Sequence, residues 1–76
     1  MLSQEALPIA SIPFLTPRER EIIRLLSQGL NNGAIARSLR VSRETIKLTL
    51  KSIYRKLGVA NRTQAAVWAV REGLLP

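Results

Sequence analysis

The feature that most constrains this chain is the punctuation of its apolar runs. Thr16-Pro17-Arg18-Glu19 offers a capping residue, a proline at the first helical position and a glutamate placed to close a capping box. Ile22, Ile23, Leu25 and Leu26 follow as an apolar stripe, and Gly29 ends it. This predicts a first helix over about 17–28. Asn31 caps a short second helix running through Leu39, with Ile35, Ala36 and Leu39 as its apolar positions. Ser42 caps a third, in which Ile46, Leu50, Ile53 and Leu57 recur every three or four residues until Gly58. Asn61-Arg62-Thr63-Gln64 is a second capping-box pattern, and it opens a fourth helix reaching about Glu72, with Gly73 beyond. No segment alternates with period two, so no strand is predicted. The expected fold is all-α, a four-helix bundle with a central helix-turn-helix and no wing.

Length and composition narrow the function. A chain of 76 residues supports one small core. It contains no cysteine and no histidine. Disulfides, thiolate or imidazole metal sites and any nucleophile–histidine pair are thereby excluded. The acids are Glu5, Glu19, Glu21, Glu44 and Glu72, and no two are placed as a catalytic pair. An enzyme is not expected, and neither is a cofactor, a metal or a small-molecule ligand.

Residues 1–15 hold Pro8 and Pro13 and no basic side chain. Each proline biases its predecessor toward extended backbone, so this stretch reads as a tail or interdomain linker, with Phe14 and Leu15 folding back onto a domain spanning 16–76. The opening residues lack the basic and apolar regions of a secretion signal, and no run approaches a membrane span. The expected location is the cytoplasm, at the nucleoid when bound.

Charge supplies the strongest functional signal. Twelve lysines and arginines against five acids give a net charge of +7. Residues 37–62 carry all of that excess: Arg37, Arg40, Arg43, Lys47, Lys51, Arg55, Lys56 and Arg62, against Glu44 alone. Such an excess predicts a polyanionic partner. On a helical wheel the third helix puts its apolar stripe on one side. Glu44, Lys47, Leu48, Lys51, Ser52 and Arg55 fall opposite. A solvated amphipathic helix is the plainer account of such a face. Against it, these cations lack acidic partners four residues away, and a leucine stands exposed among them. The rod of roughly 22 Å fits a major groove about 12 Å wide, where Leu48 suits a thymine methyl. A short helix, the connection Arg40-Val41-Ser42 and a longer basic helix form a helix-turn-helix pattern.

At this point a family resemblance becomes visible. Residues 15–75 resemble the LuxR/FixJ/NarL-type (GerE-like) DNA-binding domain of bacterial transcription regulators. The resemblance runs through Leu15-Thr16-Pro17-Arg18-Glu19-Arg20-Glu21, Gly29-Leu30-Asn31-Asn32, Ile35-Ala36 and Thr45-Ile46-Lys47. It continues through Ile53-Tyr54-Arg55-Lys56-Leu57-Gly58-Val59 and Asn61-Arg62-Thr63-Gln64-Ala65-Ala66. It implies a domain that binds duplex DNA as a dimer, with Lys47, Leu48 and Lys51 toward the bases. Asn32, Arg40, Arg43, Thr45, Arg55 and Arg62 are the expected contacts to the DNA backbone. RNA polymerase is a further candidate partner. The chain departs from the family pattern at Gly33-Ala34, where a basic residue and a glutamate are common, at Arg40, where glycine is common, and at Thr49, where histidine is common. Many family members carry a receiver or ligand-binding domain ahead of this one. The chain reads as an excised effector domain or a small stand-alone regulator.

The fourth helix is apolar nearly all round. The wheel groups Ala65, Ala66, Ala69 and Val70 against Gln64, Val67, Trp68 and Arg71. If the first set is core, the second is a dimer face, with tryptophan and arginine as its anchors. The alternative lays Trp68 back against the first helix. Two other functions compete with DNA binding. One is a helical interaction module that titrates partners through the fourth helix. The other is adsorption to an anionic membrane, which the lack of a broad apolar stripe on the third helix disfavours.

Overall fold

In a computed structural model, which describes residues 15–73, the chain forms four helices and, among those residues, no strand. They are α1 (Pro17–Ser27), α2 (Asn32–Leu39), α3 (Arg43–Leu57) and α4 (Arg62–Arg71). Most of the proline-bearing segment, including Phe14, lies outside the described residues. Leu15, expected to fold back, is buried.

The starts follow the caps read from sequence. Thr16 Oγ1 accepts the Glu19 N–H at 3.0 Å, and Glu19 Oε1 accepts the Thr16 N–H at 2.9 Å, which completes the capping box. Asn31, Ser42 and Asn61 each accept the N–H three residues on. The second expected capping box forms differently. Gln64 Oε1 reaches past Asn61 and accepts the Ala60 N–H at 2.7 Å.

Three helices end in one device. A residue with positive φ is followed by an apolar residue whose N–H returns to a carbonyl five positions back. Leu30 N–H donates to Leu25 O after Gly29, Val41 N–H to Ala36 O after Arg40, and Val59 N–H to Tyr54 O after Gly58. Each bond adds a second donor to a carbonyl of the last turn. Leu30, Val41 and Val59 also pack against the core, so each stop fixes the direction of the departing chain. Arg40 is the exception in composition: it holds φ 61° and ψ 44° with a side chain where the other two stops use glycine.

The core joins one face of every helix. Ile22, Ile23, Ile35, Ile46 and Ile53 are its largest fully buried side chains. α1 packs chiefly on α4, and α2 on α3. Ala65 and Ala69 are wholly buried, which permits close approach of α4 to the rest. Here the wheel grouping fails in one respect: Val70, placed with the core set, is 60% exposed. The core-facing arc of α4 instead takes in Trp68, half-buried and packed on the cluster.

Two long-range polar ties close the bundle. Lys56 Nζ donates to both Glu19 oxygens, at 2.8 and 3.0 Å, and joins the end of α3 to the start of α1. Burial alone would raise the Glu19 pKa. The bond from Lys56 and those from Thr16 outweigh it and hold the carboxyl below its ordinary value of 4.5. Arg62 spans the loop before α2, donating to Asn32 Oδ1 at 2.9 Å and to the Leu30 carbonyl.

Candidate nucleic-acid interface

The site is built on α3. Ile46, Leu50 and Ile53 anchor one side of the helix in the core. A helix so anchored presents its opposite side outward, and Glu44, Lys47, Leu48, Lys51 and Arg55 are exposed there, while Arg43 is exposed at the first turn, beside α2. Arg43, Lys47, Lys51 and Arg55 stand one turn apart in a single row. Leu48 is 57% exposed in their midst. Among the described residues no carboxylate forms an ion pair with the row, although Glu44 stands three residues before Lys47. The ion pairs among the described residues are Glu21–Arg24 and Glu19–Lys56, both on other surfaces.

The N-terminus of α3 is held by Ser42, whose Oγ accepts the Thr45 N–H at 3.0 Å and lies 2.9 Å from Thr45 Oγ1. Thr45 is exposed but already hydrogen-bonded at its hydroxyl. Thr49 turns inward along the helix, donating its hydroxyl to the Thr45 carbonyl. Arg40 projects from the turn between α2 and α3 and is exposed. The positions expected to face bases, and four of those expected to face phosphates, are therefore all exposed on α3 or at the turn before it.

Asn32 and Arg62 behave differently. They are half-buried and bonded to each other, so Asn32 Oδ1 and the Arg62 guanidinium are engaged within the domain. Two cations that the sequence reading counted without assigning a role are also placed by the fold. Lys56 is committed to Glu19. Arg37 leans over the start of α2, beside Arg43. The four-residue step from Gly33 to Arg37 was the available signal for that neighbourhood, since such residues share a helix face.

α4 offers a second exposed feature. Val67 and Val70 are 48% and 60% exposed. An open groove of about 350 Å³ takes in Val67 but not Val70, lined by Val59, Gln64, Val67, Trp68 and Arg71 among others. Trp68 straddles the boundary, with part of its surface on the core and part in the groove. No described helix is long and apolar enough to cross a membrane.

A short bracing helix, a tight turn and an outward basic helix anchored by its apolar stripe define a helix-turn-helix domain. The model of the bacterial regulatory proteins of the luxR family matches residues 13–69. The chain belongs to that family. It is 45% identical over 58 residues to the nitrate/nitrite response regulator NarL of Escherichia coli, covering 76% of this chain and 27% of that protein. It is 49% identical over 55 residues to a probable csgAB operon transcriptional regulatory protein of Salmonella typhimurium, covering 72% of this chain and 26% of the relative. A putative helix-turn-helix transcriptional regulator of Mycobacterium bovis is 48% identical over 59 residues, 78% of this chain and 7% of its own length. The chain thus spans about a quarter or less of these relatives. The solved structure of the transcription factor GerE superposes with a TM-score of 0.72 at 37% identity, covering 82% of this chain and 92% of that one. The family and the four-helix architecture expected from sequence are both borne out.

Proposed function

We propose that this chain is the DNA-contacting domain of a bacterial transcription regulator and that α3 enters the major groove of a duplex. Lys47, Leu48 and Lys51 face the base edges. Arg40, Arg43, Thr45 and Arg55 meet the flanking phosphates. The observation that carries this reading is the uncompensated row Arg43, Lys47, Lys51 and Arg55, exposed on a helix whose other side is locked into the core. Cations without acid partners repel one another in the free protein and gain most by meeting phosphates. The family match supports the same partner. Two copies pair through α4, with Val67, Val70, Arg71, Gln64 and the exposed part of Trp68 as the contact. A single short helix buries less than the ~800 Å² per partner of a standard interface, so pairing depends on DNA that holds two copies together.

Selection from a random duplex library tests this. The expected product is an inverted repeat with half-sites about one helical turn apart. Leu48→Ala is expected to alter base preference while leaving mixed-sequence affinity nearly unchanged. Pairing of the protein without any duplex enrichment would favour an interaction module working through α4.

A further inference from the structure

The seam between α2 and α3 holds a second arrangement of charge. Asn31, Asn32, Gly33, Arg37 and Arg43 line an open cleft of about 380 Å³. Gly33, in the first turn of α2, forms its floor. A Cβ at residue 33 would lie 3.2 Å from Arg43 Nε and 3.7 Å from Arg37 NH1. Two guanidinium groups, one from each helix, therefore converge on the space that this glycine leaves empty. Both are exposed, and neither has a carboxylate partner among the described residues. Like charges gathered this closely favour an anion between them, and paired guanidinium forks match the geometry of phosphate oxygens.

We infer that Arg37 and Arg43 together grip one backbone phosphate of the DNA, and that Gly33 is the positioning residue that makes room for the grip. This rests on the DNA-binding reading above. Arg43 heads the row continued by Lys47 and Lys51, so the cleft opens at the end of the surface assigned to the groove. A phosphate at that place belongs to the strand flanking the bases that α3 faces. One of the two cations at this corner, Arg43, comes from α3 and reaches across the turn onto a side-chain-free patch of α2.

The test measures affinity for a short mixed-sequence duplex across a salt series, with melting temperatures as the control for folding. Arg37→Ala with Arg43→Ala is expected to flatten the slope of log K against log salt by about 0.9, the worth of one phosphate contact, and to weaken binding roughly three- to tenfold. Adding Gly33→Lys to that double variant places one cation at the same point and is expected to restore the slope. Lysine is a better helix former than glycine, so the triple variant retains its fold. A flattening near twice that value would mean two independent phosphates. An unchanged slope would mean none, and failure of Gly33→Lys to restore it would place the contact elsewhere. Each of these overturns the grip while leaving the domain a DNA binder. A wild-type chain that ignores the duplex overturns the DNA reading itself.

Discussion

Replacing Arg40 by glycine is expected to make the domain more stable and its DNA binding weaker. Arg40 occupies the left-handed region at φ 61°. The same turn closes at Gly29 and Gly58, where no side chain opposes it. A left-handed residue with a Cβ costs about 1–2 kcal/mol. Glycine returns about 0.5–1 kcal/mol of that through its greater freedom in the unfolded chain. The net gain for Arg40→Gly is about 0.5–1 kcal/mol, which for a domain of this size raises Tm by about 2–8 °C. The variant also loses one exposed cation from the surface proposed to meet DNA. Its salt dependence on a mixed-sequence duplex is expected to flatten by about 0.9. Arg40→Ala separates the two effects, because it removes the charge and keeps the Cβ. It is expected to reproduce the flatter slope without the rise in Tm. Thermal unfolding by circular dichroism and fluorescence anisotropy suffice. A glycine variant melting at or below wild type would refute the strain argument. An alanine variant gaining as much as glycine would trace the stability to relieved charge repulsion instead.

Lys47→Ala and Lys51→Ala are each expected to leave Tm nearly unchanged and to weaken duplex binding. Either the salt slope falls by about 0.9, or discrimination at one base pair relaxes by about 1–3 kcal/mol. Arg62→Ala is expected to do the reverse. It loses the bonds to Asn32 and Leu30 and so lowers stability by about 1–3 kcal/mol in urea unfolding, with the salt slope intact. The lowered pKa of Glu19 means that its contribution to stability is complete above about pH 4.5 and disappears as pH falls through the folded value. Glu19→Gln is expected to remove that part of the acid dependence, read from unfolding free energies across the acid range. Val70→Glu is expected to abolish cooperative filling of an inverted repeat at unchanged half-site affinity. Trp68→Ala is expected to lower stability as well, since the indole also packs on the core; an unchanged Tm would show that packing to be incidental.

Local chemistry along the chain decided where helices begin and end. Thr16, Asn31, Ser42 and Asn61 satisfy open N–H groups within three residues of themselves, and Gly29 and Gly58 take the left-handed turn at no steric cost. Such bonds depend on neighbours in sequence, so residue type and spacing suffice to read them. The exposed basic row of α3 was legible for a related reason. Ile46, Leu50 and Ile53 lie on one arc, and burying that arc fixes the opposite one. α4 shows where this reasoning stops. With apolar residues around most of its circumference, periodicity could not choose the buried side, and packing on α1 settled it in favour of Ala65, Trp68 and Ala69 over Val70. Only the tertiary structure joined Arg62 to Asn32 and Lys56 to Glu19, thirty and thirty-seven residues apart, because a side chain that finds its partner across the fold leaves no periodic trace. It also imposed the left-handed turn on Arg40, where the need to seat Val41 against the core and aim α3 outward overrode what an arginine adopts by itself.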